Sequence, residues 1–74
     1  MPQAGLTMLG ENFVSSAIAS GRYHLASCRM SLMFTSGRSF DFCHVPLRIW
    51  EGLCAAPSKG RYYNQFIRDK FNCR

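Results

Sequence analysis

Two alternating runs separated by three residues constrain this chain more than any other feature. In residues 28–34, Cys28, Met30, Leu32 and Phe34 alternate with Arg29, Ser31 and Met33; in residues 38–44, Phe40 and Phe42 alternate with Ser39, Asp41 and Cys43. Successive side chains of a strand point to opposite faces, so this period of two marks two strands that each bury one face. The link Thr35-Ser36-Gly37 is odd in length, which lets Leu32 and Phe40 share a face. Three linking residues ending in glycine match a type I turn followed by a left-handed position, which glycine adopts without a Cβ clash. In this register Cys28 lies on the inward face and Cys43 on the outward one, so a disulfide between those two is disfavoured.

The flanking segments fit around that hairpin. Residues 13–23 combine small residues with β-formers and predict an edge strand around 17–23, with a turn near 24–27. Val45-Pro46 ends the third strand and opens a helix with proline at its first position, where no amide bond is lost. Leu47, Ile49, Trp50, Leu53 and Cys54 hold helical spacing to about Ala56, and Pro57 stops that helix. Ser58 is the expected N-cap of a second helix over residues 57–71. Tyr63, Ile67 and Phe71 recur there at i, i+4 and i+8, with Tyr62 and Phe66 beside them, while Arg61, Gln65 and Arg68 occupy the other side. The expected fold is α+β, a three-stranded antiparallel β-meander followed by two α-helices packed on one face. Residues 1–12, with Pro2, Gly5 and Gly10 and no sustained period, read as a flexible N-terminal arm, and residues 13–74 as a single domain. The first or third strand must present an edge, which leaves monomer and dimer both open.

A chain of 74 residues has room for one small core, and 47% hydrophobic content with 14% aromatics is enough to fill it. The 18% charged content argues against disorder. The net charge of +5 is uneven. Arg22, Arg29 and Arg38 stand against Glu11 and Asp41 before residue 45; Arg48, Lys59, Arg61, Arg68, Lys70 and Arg74 stand against Glu51 and Asp69 after it. Such asymmetry suits an acidic partner such as nucleic acid. No run reaches the roughly 18 apolar residues that span a bilayer, and no secretory signal opens the chain, so a cytoplasmic protein is expected. Cys28, Cys43, Cys54 and Cys73 match no zinc or redox spacing, so they are expected to be reduced packing residues, without a metal.

Catalysis is not expected. His24 and His44 are the only histidines, and the neighbours Cys43 and His44 would point to opposite faces of a strand. The acidic residues are scattered, and Ser58-Lys59-Gly60 lacks the glycine run of a phosphate loop. No cofactor is implied. Binding has better material: Lys59, Arg61, Arg68, Lys70, Arg38 and Arg48 are candidate phosphate contacts. Phe40, Phe42, Tyr62 and Phe66 are expected in the core, however, where they cannot stack on bases. A competing site is the apolar arm, whose Leu6, Met8, Leu9 and Phe13 would dock on a larger protein.

The ordered features of the chain resemble the KTSC domain. The residues that carry the resemblance are SSAI at 15–18, Tyr23, FTSGRSFDFCHVP at 34–46 and IWEGLCAAPSKGRYYNQFIRDKF at 49–71. Val45-Pro46 matches that family's first helix start, and Ser58, Gly60, Tyr62, Asn64, Ile67 and Arg68 match the pattern of its second. Phe40-Asp41-Phe42 stands where the family has Tyr-x-Tyr, so two hydroxyls are missing, and the arm before Phe13 lies outside the pattern. The family occurs at the C-terminus of some lysyl-tRNA synthetases and alone in small bacterial and phage proteins, a context that implies RNA binding. The resulting expectation is a non-enzymatic basic domain that binds RNA or another nucleic acid in transcription or translation. The alternative is a bacterial or phage regulator docking on RNA polymerase or the translation apparatus, away from membranes.

Overall fold

In the computed structural model, which describes residues 8–73, the hairpin sits inside a four-stranded antiparallel sheet of order β1-β2-β3-β4. The strands are β1 (Met8–Asn12), β2 (Ile18–His24), β3 (Arg29–Phe34) and β4 (Ser39–Phe42). Leu32 pairs with Phe40 and Met30 with Phe42, the register required by the odd-length turn. Gly37 takes φ +96° there, and the Phe34 amide donates to the Arg38 carbonyl at 2.8 Å. Helix α1 (Leu47–Ala55) follows, with Pro46 as its N-cap rather than its first turn residue. Helix α2 (Lys59–Tyr62) starts at Ser58, whose hydroxyl accepts from the Arg61 amide at 3.3 Å. It runs on as one wider π-helical turn over Tyr63–Ile67, closed by the Arg68 amide donating to the Tyr63 carbonyl at 2.8 Å.

The sheet supplies Ile18, Tyr23, Met30, Leu32 and Phe42 to a core closed by Val45, Trp50, Leu53 and Ile67. Trp50 stacks on Tyr23 at 6.1 Å between ring centroids. The architecture is therefore α+β, an antiparallel sheet with two helices, as expected.

Three expectations are corrected. The sheet has four strands, not three, because Met8–Asn12 pairs with β2 from Met8↔His24 to Asn12↔Ser20 instead of forming a loose arm. All five of its residues are exposed, so no apolar alternation marked it; backbone bonds hold it. The segment at 17–23 accordingly lies inside the sheet and not at its edge. Leu6, the first of the expected docking residues, lies outside the described residues.

The second helix ends at Ile67 and does not reach Phe71. Arg68 leaves helical geometry with ψ 127°, Asp69 takes φ +59°, and the chain turns back onto β4. Asn72 bridges Phe42 in antiparallel fashion, and the Cys43 amide donates to the Phe71 carbonyl at 2.9 Å. That return brings Cys73 to Cys43, and the two form a disulfide across 30 positions of sequence. The expectation of four reduced cysteines is thus wrong for this pair; Cys28 and Cys54 remain thiols. Local spacing tests only neighbouring cysteines, whereas this bridge is made by the path of the tail.

Candidate nucleic-acid interface

The side of the molecule built by α1 and α2 gathers aromatic rings and unpaired cations. Its foundation is Gly52 on α1. A Cβ there would fall on the Tyr62 hydroxyl and 2.7 Å from its Cζ, so the absence of a side chain lets the Tyr62 ring lie against the helix. Phe66, one turn later, lies against Tyr62 with 4.6 Å between ring centroids and a 38° tilt, and it remains 45% exposed. Burial raises the Tyr62 phenol above its ordinary pKa, and the nearby Arg48 guanidinium partly counteracts this.

Arg61 stands on α2 itself. Together with Gln65, Tyr62, Ser58, Pro57 and Ala56 it lines a shallow depression of about 170 Å³ where α1 meets α2. Arg48 and Arg61 are both exposed, and neither forms an ion pair among the described residues. Rings beside free guanidinium groups are the elements that bind an unpaired base and its phosphate.

The remaining expected basic contacts are distributed differently. Lys59 faces inward: its Nζ donates to the carbonyls of Cys54 (2.9 Å) and Ala56 (2.6 Å) and lies 5.3 Å from the Phe13 ring centroid. Its ammonium caps the carbonyl end of α1 and is not offered to a ligand. Arg68 and Lys70 are exposed in the turn after Ile67, where Arg68 lies 3.9 Å from Asp69. The Arg68 charge also reaches Tyr63, whose phenol burial pushes up. Arg38 closes the β3–β4 hairpin beside Phe34. Phe34 in turn makes edge contacts with Phe40 at 5.6 Å and Tyr63 at 5.0 Å.

Of the four aromatics expected in the core, only Phe42 is buried; Phe40 is 46% exposed, like Phe66. The sequence signal for this was the breadth of the stripe, since Tyr62, Tyr63, Phe66 and Ile67 cover more of the helix surface than one sheet can contact. Among the expected docking residues, Met8 and Leu9 are exposed on β1, but Phe13 packs against Trp50 at 6.3 Å.

The uncovered face of the sheet is less suited to an anion. Its depression is lined by Arg22 but also by Asp41, which accepts from the Ser31 hydroxyl at 2.6 Å and lies 3.9 Å from Arg29. Among the described residues, no group of three His, Cys, Asp or Glu side chains is placed to hold a metal ion. No helix is long and apolar enough to cross a membrane.

Comparison with known proteins agrees with this architecture. Residues 14–71 match the family model of the KTSC domain. A lysine–tRNA ligase of Trichormus variabilis is 39% identical over 56 residues, covering 76% of this chain and 10% of the ligase. The chain thus spans about a tenth of the length of that relative. A small protein of Tsukamurella paurometabola is 35% identical over 57 residues, covering 77% of this chain and 85% of its own. The crystal structure of a KTSC domain protein from Yersinia pestis superposes with a TM-score of 0.84 at 29% identity, over 92% of this chain and 96% of that one.

Proposed function

This chain belongs to the KTSC domain family, and from that premise we propose that it is a non-enzymatic binding domain for single-stranded RNA. The observation that carries the reading is Phe66, a 45%-exposed ring set against Tyr62 on the pair of helices that also carries the exposed Arg48 and Arg61. A base stacked on Phe66 would leave its flanking phosphates to the exposed guanidinium groups of the same two helices. Stacking of that kind contributes about 1–3 kcal/mol per base and tolerates any sequence. The lysine–tRNA ligases that carry a matching segment suit a translation setting. The non-enzymatic part is supported in the oxidised protein by Cys43, which lies beside His44 but is tied in a disulfide there.

The test is fluorescence anisotropy of a labelled single-stranded RNA against the wild type, Phe66→Ala and the double variant Arg48→Gln/Arg61→Gln. Phe66→Ala should weaken binding about tenfold or more. The double variant should weaken it and flatten the slope of log affinity against log salt by about one to two. Absence of RNA binding by the wild type, or binding indifferent to Phe66, sinks the reading.

A second reading is favoured by Met8 and Leu9, exposed on a strand whose outer side pairs with no other strand among the described residues. There the domain would take a strand from a larger protein, such as RNA polymerase or a component of the translation apparatus. Capture from bacterial lysate separates the two: a partner lost on nuclease treatment supports RNA, and a nuclease-resistant partner lost in Leu9→Lys supports the edge strand.

A further inference from the structure

We propose that the Cys43–Cys73 disulfide is a reversible redox clasp that holds or releases the C-terminal segment 68–73. Apart from the bridge, and from the Arg68 and Lys70 amides that donate to the Tyr63 and Ile67 carbonyls at its helix end, three contacts among the described residues hold that segment to the end of β4 and to the core. They are the Cys43 amide donating to the Phe71 carbonyl, the Phe42–Asn72 pairing and the partial packing of Phe71 against the core. Opposing them, Asp69 occupies the left-handed region, which costs a residue with a Cβ. The segment is also a chain end, where opening is local and easy. Every fully buried core residue lies between Ile18 and Ile67, and the tail adds only the partly buried Phe71 at the edge of that core. The family match likewise stops at residue 71, before Cys73.

The bridge is open to attack from one side. Cys73 is exposed, whereas Cys43 is half-buried. A thiolate of a dithiol reductant attacks Sγ of Cys73, breaks the Sγ–Sγ bond and forms a mixed disulfide, while Cys43 leaves as a thiolate and takes up a proton. The second thiolate of the reductant then displaces Cys73, and the reductant ends as its own disulfide. Two electrons and two protons have passed to the protein. A disulfide such as oxidised glutathione reverses the exchange. Burial raises the Cys54 thiol above its ordinary pKa, which makes it a poorer nucleophile. The released state uncovers the end of the β4 edge and detaches Arg68 and Lys70 from their fixed positions.

Hydrogen exchange of the whole chain, oxidised and then treated with dithiothreitol, tests the clasp independently of any RNA binding. On reduction, the Cys43 amide should exchange about tenfold faster or more, while amides paired between β2 and β3 keep their protection. Oxidised glutathione should restore the slow exchange. Cys73→Ser should match the reduced protein and ignore the reductant. Unchanged exchange at Cys43 on reduction would show that packing alone holds the tail and overturn the proposal. Loss of β2–β3 protection, on reduction or in Cys73→Ser, overturns it too, because the bridge would then be a staple of the whole fold.

Discussion

The Tyr23 hydroxyl donates to the Val45 carbonyl at 2.6 Å across 22 positions of sequence, and both residues are buried. This bond fixes the segment that leads into α1 against the middle of the sheet. The Val45 amide completes the anchor by donating to the Cys28 carbonyl at 2.9 Å. Tyr23 lies at the centre of the core, stacked on Trp50, and its only polar atom is satisfied by a backbone group that would otherwise be orphaned.

Tyr23→Phe should therefore destabilise the domain by about 1–3 kcal/mol, because the Val45 carbonyl stays buried without a donor. The effect depends on pH. Burial, reinforced by the neighbouring Cys28, pushes the Tyr23 phenol up to about 12. The folded state then holds the proton more tightly than the unfolded chain, whose tyrosine titrates near about 10. The stability from this group is complete below about pH 10 and falls as pH rises towards 12, by at most about 1.4 kcal/mol per unit. Denaturant unfolding of both proteins from pH 7 to 11 should show the gap between wild type and Tyr23→Phe narrowing above pH 10. A constant gap would contradict the assignment.

Lys59→Met should separate the structural lysine from the ligand-facing arginines. Removing the ammonium leaves the Cys54 and Ala56 carbonyls at the end of α1 without their donor, at a cost of about 1–2 kcal/mol in thermal or denaturant unfolding. RNA affinity at matched temperature should stay within about twofold, because this cation does not face the ligand. A loss as large as that in Arg48→Gln would return Lys59 to the binding surface.

Gly52→Ala tests the platform without touching the proposed ligand contacts. The new methyl displaces the Tyr62 ring and with it the support under Phe66. Since the ring's far end can swing outward, the stability loss should be small, about 1 kcal/mol. RNA affinity should fall nearly as far as in Phe66→Ala. Intact affinity would mean that Phe66 does not need Tyr62 beneath it.

Deleting residues 1–12 removes β1 and makes β2 an edge strand. Every β1 side chain is exposed, so little apolar burial is lost and the truncated domain should still unfold in one cooperative transition. The loss of the β1–β2 backbone bonds should lower its midpoint. A truncated chain that shows no cooperative unfolding would make β1 essential to the core.

The hairpin over residues 29–42 was legible in its register, whereas its ends were not: Cys28 and His44, expected within the strands, take left-handed φ of 59° and 57°, and Phe40, expected inward, is 46% exposed. Alternation set the faces of β3 and β4, the odd linker set Leu32 opposite Phe40, and Gly37 supplied the left-handed turn. Pro46, Pro57 and Ser58 likewise bounded α1 and started α2 close to where their backbone preferences place them. β1 was not legible, since a strand that buries nothing carries no periodic pattern. The candidate site was legible in composition but not in arrangement. The tyrosines, phenylalanines and arginines were visible, but which rings remain exposed depends on how much of the helix the sheet covers.

The sequence by itself determined the hairpin register, the order of sheet then helices, the cap at Ser58 and the excess of positive charge in the second half. These follow from side-chain period, backbone preference and ionisation, which act over a few residues. Only the tertiary structure decided that Lys59 turns inward, that Gly52 seats Tyr62 beneath an exposed Phe66, and that the tail returns to join Cys73 to Cys43. Each of these depends on the distance between groups far apart in sequence, which the packing of the helices and tail on the sheet establishes.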